Sequence, residues 1–236
     1  MIELLCAMIV MSVGILAVFA MLQSGAVQIE RASVTSTAAA IADSEIEKFR
    51  AIKFNAIGLD DAAVASADST YSGDAAYVVD APTTALAASL TAASSTMSVT
   101  SAAGFPSTAP FRVKIDSEVV VVTAGAGTTS WTIQRGADYT TAADHSNGAS
   151  VTQKRRAHLP PCGSSPCTTY VPTRTITGPD GGSYRVDTFI AWTSISNDAG
   201  TTGRNVKLVT IVVRDVTTPA KVHARVSSSF DESTGL

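Results

Sequence analysis

Charged side chains are scarce in this chain: they make up 16% of its 236 residues, and the formal net charge is −3. A nucleic-acid partner is therefore not evident, because proteins of that kind carry basic patches that neutralise phosphates. The run Lys154-Arg155-Arg156 is short for such a patch, and we predict that it is a solvated linker. Low charge together with abundant Ala, Ser, Thr and Gly favours a secreted or surface protein over a cytosolic enzyme.

Cysteine is rare as well, with three residues in the chain. Cys162 and Cys167 stand close together in PPCGSSPC, whereas Cys6 lies in an apolar run without a nearby partner. We predict that Cys162 and Cys167 form a disulfide in an oxidising compartment. A metal site would need further ligands, and His158 is the one candidate nearby.

Catalytic sequence motifs are missing too. The chain contains no GxSxG elbow, P-loop or dinucleotide fingerprint. Its histidines, His145, His158 and His223, do not stand at the spacing of metal ligands. The acids Asp60-Asp61, Asp116 and Glu118 could bind calcium, but their spacing is not that of an EF-hand. We therefore predict no enzyme activity, no cofactor and no metal site, and we interpret His145 as a turn or packing residue.

What the chain does have is a long apolar beginning: residues 4–29 carry no charge, and 4–22 are almost wholly apolar. A helix of about 20 such residues spans a bilayer. A cleavable secretory signal would open with Lys or Arg and end at an Ala-x-Ala site, and neither is found here. An ordinary membrane anchor explains the apolar run, but it explains neither Glu3 nor the amphipathic pattern that follows.

Glu3 is a lone acid at the head of this run, and a buried, unpaired carboxylate is strongly disfavoured. The residues MIELL and the apolar run after them resemble the N-terminus of mature type IV pilins and of type II secretion pseudopilins. The resemblance implies that Glu3 pairs with the free N-terminal amine of a neighbouring subunit; the alternative is that Glu3 lies among lipid headgroups. In the family the acid is usually the fifth residue after leader removal, whereas here it is the third, so the sequence starts late or processing differs.

The apolar half also contains small residues, Gly14 and Ser24-Gly25. Glycine weakens a helix by about 1 kcal/mol relative to alanine, and related pilins can lose helix in this region on assembly. We predict a stretched or non-helical segment between Gly14 and Gly25; the alternative is that the small residues permit close helix packing. The predicted assembly residues are Glu3, Leu4, Leu5, Ile9, Gly14, Ile15, Phe19 and Gly25.

The apolar pattern continues beyond this half, because Val27, Val34 and Ile41 recur at intervals of seven and charges occupy the other faces. We predict one helix from about residue 2 to 54. It belongs to a segment 1–57, of which 1–25 is the assembly or membrane half and 26–57 the amphipathic half. The predicted fold class is α+β, with this long N-terminal α-helix packed on an antiparallel β-sheet head.

The head is predicted at residues 58–83 and 154–236, with strands at 76–80, 184–192, 206–214 and 220–228. The stretch YRVDTFIAW followed by GRNVKLVTIVVRD resembles the antiparallel sheet of pilin and minor-pilin heads.

Residues 84–153 are predicted to be an inserted small all-β module. Strands are expected at 111–115 and 118–123, paired across Asp116-Ser117, and at 130–134, before a turn at Arg135-Gly136. The FP, ID-E, RG and AxxH…GA-V cues resemble a β module of phage structural proteins and other surface proteins. Its role could be adhesion, shielding or the stabilisation of neighbours. Trp131 and Trp192 are predicted to be core residues.

Together these features predict a structural subunit of an extracellular type IV pilus-like filament on a bacterial surface. The partners implied by the resemblance are copies of the chain in a helical homopolymer, the pilus assembly machinery, the prepilin peptidase and, before assembly, the inner (cytoplasmic) membrane. The alternatives are a minor pilin or pseudopilin at a filament tip, and a membrane-anchored surface-binding protein that does not polymerise.

Overall fold

The structure is a computed structural model, and it describes residues 2–159, 170–195 and 204–231. It contains one long N-terminal helix and two larger antiparallel β-sheets, which confirms the predicted α+β class. Cys162 and Cys167 lie outside the described residues, so their disulfide stays a prediction.

Helix α1 spans Ile2–Arg50 without a break. It ends earlier than predicted and is followed by a 3₁₀ turn, Phe54–Ala56. The reason is that Phe54 and Ile57 are buried in the head, so the chain has to leave the helix axis to reach it. The buried ammonium of Lys207 then binds the carbonyl oxygens of Phe54 and Ile57, at 2.9 and 2.6 Å.

Three short elements follow the helix: β1 Leu59–Asp60, α2 Asp61–Ala65 and α3 Ser69–Ser72. Each of the two short helices begins at an aspartate whose side chain accepts a backbone N–H, from Ala63 to Asp60 and from Tyr71 to Asp68. Such caps satisfy amide groups that have no partner inside the helix.

The larger strands form two sheets. Residues 83–154 supply β2 Thr83–Ala85, β3 Thr96–Ser98, β4 Phe111–Ile115, β5 Glu118–Ala124, β6 Ser130–Ala137 and β7 Ser150–Lys154, in the order β2-β7-β4-β5-β6-β3. After β8 His158–Leu159, which pairs with β1, the head sheet consists of β9 Thr173–Thr177, β10 Ser183–Ile195, β11 Arg204–Asp215 and β12 Val222–Asp231, in the order β12-β11-β10-β9.

The head sheet is covered on both faces. Glu45 of α1 forms an ion pair with Arg174, which is paired directly with Val186, so α1 lies on the Val186 face. Tyr71 stacks on Phe189 with ring centroids 4.4 Å apart. Because side chains alternate along a strand, Phe189 points to the opposite face from Val186. The predicted strands at 184–192, 206–214 and 220–228 are confirmed, with small shifts of their ends.

The predicted strand at residues 76–80 is wrong, because this stretch has no regular structure. The place beside β10 is taken by the chain leaving β7: Ala157 donates its N–H to Ile190, and Arg155 accepts one from Trp192. Asp80 accepts the backbone N–H groups of Arg155 and Arg156 instead. Residues 76–80 are thus held to the head by side-chain contacts and not by strand pairing in the head sheet.

The sheet of residues 83–154 has a hydrophobic core of its own, in which Trp131 and Val113 are fully buried. The hairpin across Asp116-Ser117 is confirmed. The predicted turn at Arg135-Gly136 is wrong, because β6 continues to Ala137. Gly136 has a φ of 62° within the strand, a conformation that glycine adopts without strain.

The two ends of the 83–154 segment lie side by side on paired strands. Thr83 pairs with Thr152, and Gln153 donates its N–H to Pro82. Replacement of residues 84–153, the predicted module, by a short Gly-Ser linker should therefore leave the head folded. We expect circular dichroism of the detergent-solubilised variant to show a cooperative thermal transition. Removal of β12, which packs on α1, should abolish that transition, and an unfolded linker variant would contradict the insertion.

Candidate functional site

None of the head residues that the structure describes packs around the apolar half of α1. Every side chain described between Ile2 and Ser33 is exposed, including Val10 at 72% and Phe19 at 59%. Helix α1 is long and apolar enough to cross a membrane, with a mean hydropathy of 1.9 in its apolar window, and none of that window is buried. The apolar half of α1 is therefore outside the core of the head, and by length and composition it could serve as a membrane anchor or a signal sequence.

An apolar groove runs along this half, with a volume of about 310 Å³. It forms at Gly14, where a Cβ atom would meet no other atom within 4 Å. Three predicted assembly residues, Gly14, Ile15 and Phe19, line it together; Met11, Val18 and Leu22, which the sequence analysis did not single out, complete it.

The other predicted assembly residues lie apart from the groove. Glu3 is exposed in the first helical turn, and Gly25 is open on its own stretch of helix. Leu4, Leu5 and Ile9 are helical, but their side chains lie outside the described ones. In the single chain the helix is continuous from Gly14 to Gly25, so a non-helical segment in an assembled state stays a prediction.

The second half of α1 is attached firmly to the head. Ala38, Ile41, Ile46 and Phe49 are buried, as the sequence periodicity predicts. Glu45, which is also buried, pairs with Lys48 at 2.7 Å in addition to Arg174. Near the start of the buried stretch, a Cβ atom on Gly178 would lie 2.7 Å from Thr37 Cγ2. The β9–β10 turn therefore touches the helix close to where its exposed half begins.

A network of ion pairs lies on the face of the head sheet opposite to α1. Asp187 is fully buried and accepts hydrogen bonds from Arg185 and Arg214, both at 2.8 Å. Arg185 also binds Asp68, and this bond is the main reason why the pKa of Asp68 falls from 3.8 to about 2. Arg214 and Arg225 both pair with Asp74. These pairs connect the α2–α3 segment to three strands of the sheet.

A second buried ion cluster lies in the 83–154 sheet. Glu118 is fully buried and bound twice by Arg135, at 2.8 and 2.7 Å. The ring of His145 lies between two carboxylates, with Nδ1 2.7 Å from Asp116 and Nε2 2.8 Å from Glu118. The ID-E, RG and AxxH cues of the sequence therefore meet in one place. No group of three or more His, Cys, Asp or Glu in the described part of the chain could hold a metal ion.

The two tryptophans have different surroundings. Trp131 is 1% exposed, which confirms it as a core residue. Trp192 is half-buried at the junction of the two sheets, where the guanidinium of Arg112 lies 3.5 Å from its ring centroid and the ammonium of Lys207 4.7 Å. Trp192 thus connects the 83–154 segment to the head.

The basic run at residues 154–156 is not a solvated linker. Lys154 is buried at 4% exposure and pairs with Asp61 at 3.1 Å and Asp80 at 3.8 Å. Arg156 pairs with Asp80 as well, at 3.1 Å. Only Arg155 of the three is exposed. The sequence missed this because the partner acids stand far away in the chain.

No protein-family model matches the chain, and no curated protein matches it.

The Glu118 cluster predicts a loss of stability in acid. Burial alone would raise the pKa of Glu118, but hydrogen bonds from Arg135, His145 and the Gly136 and Ala143 amides outweigh burial and lower it from 4.5 to about 2. A lowered carboxyl pKa stabilises the fold above pH 4.5, and that contribution is lost as the pH falls towards 2.

Glu118→Gln should therefore cost about 3 to 5 kcal/mol at neutral pH, since Arg135 loses its buried partner, and much less near the acid limit. Denaturant unfolding followed by tryptophan fluorescence at several pH values measures this loss. Asp43→Asn is the control, because Asp43 is an exposed acid on α1 and its replacement should cost little at any pH. An equal loss for Glu118→Gln at every pH would contradict the prediction.

Proposed function

We propose that this protein is a structural subunit of an extracellular type IV pilus-like filament, in which the apolar half of α1 packs among the same helices of other copies. One observation supports the proposal: an uncharged helical segment projects from a folded head, and every side chain described along it is exposed. The resemblance of the N-terminal residues to pilins supports the same conclusion, as does the helix-on-sheet architecture.

Hydrophobic burial supplies the driving force against exposure to water. Burying a Val, Leu, Ile, Met or Phe side chain contributes about 1.5–3 kcal/mol. The exposed half carries many such side chains, among them Val10, Met11, Leu16, Phe19 and Leu22. Water is therefore not a tolerable environment for this half, and the cytoplasmic membrane holds it before assembly.

In lipid the apolar surface is already satisfied, so burial alone does not favour copies over membrane. Two features of the chain favour copies. The groove at Gly14 is a concave surface that a neighbouring helix can fill, and contacts between close-packed side chains drive helix association in lipid. Glu3 is a charge that needs a fixed partner, and the terminal amine of an adjacent copy supplies one.

Substitution of Glu3 tests the proposal. Glu3→Gln removes the charge with little change in shape, and we expect cells carrying it to lose surface filaments in electron micrographs while the protein remains in the membrane fraction. Glu30→Gln is the matched control, because Glu30 is an exposed acid on the same helix just beyond the uncharged segment.

The same micrographs separate the alternatives. If the protein is a membrane anchor that never polymerises, cells with the unaltered protein would show no filaments that contain it. A minor or tip subunit would be scarce in sheared filaments, whereas a major subunit would dominate them. Filaments built of Glu3→Gln protein in normal number would contradict the role of Glu3.

The groove generates a second test. Gly14→Leu should fill the groove and reduce filament yield, whereas Gly14→Ala should retain filaments because a methyl group occupies little of it. Both substitutions favour the helix by about 0.5–1 kcal/mol, so a loss seen with Leu alone reports packing. Filament mass in sheared fractions measures the effect, and equal yields from both variants would exclude the groove as a helix contact.

A further inference from the structure

A polar cleft of about 270 Å³ lies at the junction between the 83–154 sheet and the head. One wall consists of Arg112, Gln153, Lys154 and Arg155, with the loop before β4, and the other consists of Trp192 and the residue after it on β10. No residue of α1 is among the described residues that line it. The cleft is therefore separate from the surface that carries the proposed assembly.

Among the residues that the structure describes, those paired around this cleft include more cations than acids. Asp138 faces Arg112, Asp61 faces Lys114 and Lys154, and Asp80 faces Lys154 and Arg156. With Arg155 added, these described residues comprise five cations and three carboxylates, a surplus of two positive charges in a chain whose net charge is −3. All of the charged residues that line the cleft are cations: Arg112, Lys154 and Arg155.

Arg155 is the cation of this set whose side chain can reorient towards a ligand. Its side chain is exposed and pairs with no carboxylate within the part of the chain that the structure describes. Its backbone is fixed, because its N–H binds Asp80 at 2.8 Å and its carbonyl oxygen accepts the N–H of Trp192 at 2.7 Å. A charged group on a fixed backbone at the rim of a cleft can bind an anion without rearrangement of the fold.

The remaining lining offers hydrogen bonds and apolar edges. Gln153 has an amide, Thr108 and Thr193 have hydroxyl groups, and Pro106 and Pro110 are apolar. Arg112 lies over the ring of Trp192 at 3.5 Å, so that face of the ring is occupied and a ligand would be held mainly by polar contacts. A plain inorganic anion would leave most of these groups without a role.

We propose that this cleft binds a small hydroxylated organic anion of the size and chemistry of an acidic monosaccharide. The carboxylate binds Arg155 at the positive rim, and the hydroxyl groups of the ring bind the Gln153 amide and the threonine hydroxyls. The volume is close to the lower limit of about 300 Å³ for ligand sites, and clefts between structural units are preferred places for them. The inference does not depend on filament assembly.

The test uses the full chain in detergent micelles, titrated with glucuronate, with glucose as the neutral analogue and with sulfate as the plain anion. We expect glucuronate to bind with a Kd of about 1 mM, the range for a ligand with so few atoms. Glucose lacks the carboxylate and sulfate lacks the hydroxylated ring, so each should bind more weakly than glucuronate by about tenfold or more. Saturation-transfer NMR or calorimetry measures both.

Arg155→Gln should weaken glucuronate binding about tenfold, the loss expected for a charge-assisted hydrogen bond. Lys221→Gln is the matched control, because Lys221 is an exposed cation in the β11–β12 turn and should leave binding unchanged. The Glu3→Gln variant should bind as the unaltered chain does, which separates this site from assembly. Unsaturable glucuronate binding, sulfate binding of equal strength, or an Arg155→Gln variant with unchanged affinity would each overturn the proposal.

Discussion

The structure depends on one constraint: the uncharged helical segment at residues 4–29 cannot remain in water. A segment of this length in a single helix exposes apolar groups on every side, so that no single face of a head could cover it. The fold accordingly buries only the second half of α1, where Ala38, Ile41 and Phe49 form a one-sided stripe. The apolar half of the helix is left uncovered by the described residues of the head, so one element has an exposed half and a packed half.

A projecting helix is useful for assembly only if the head holds it in a fixed direction. Apolar packing attaches the second half of α1 to the head, and charged contacts fix the orientation of the helix. Lys207 binds the carbonyl groups just beyond the helix, and Glu45 joins the helix to Arg174 on β9. Buried ion pairs contribute little net stability, but removal of one partner is costly, so such pairs favour one arrangement over its neighbours. A filament contact at the end of α1 would thereby be transmitted to the head.

The sequence predicts what depends on local pattern and misses what depends on distant contacts. The helix and the strands β4, β5, β10 and β11 follow from periodicity and were predicted with small shifts. The strand at 76–80 failed because the place beside β10 was taken by residues 155–157, far along the chain. For the same reason the groups that pair with Lys154 and Glu118 could not be read from the sequence. The groove at Gly14 could be predicted only in part. The sequence shows small and large apolar residues, but only the structure shows which of them line one groove.

Charged contacts at Trp192 join the 83–154 sheet to the head, as the insertion that we predict for this segment would require. A segment whose ends are neighbours on paired strands, as Thr83 and Thr152 are, can enter a loop without disturbing the sheet around it. Such a segment is free to swing unless contacts across the junction fix it. Here Arg112 stacks on Trp192, and Lys114 and Lys154 meet Asp61, so cations of the segment contact an aromatic ring and an acid of the head. Charged contacts of this kind form without a large apolar surface on either side, and they leave between them a polar cleft that neither unit would have alone.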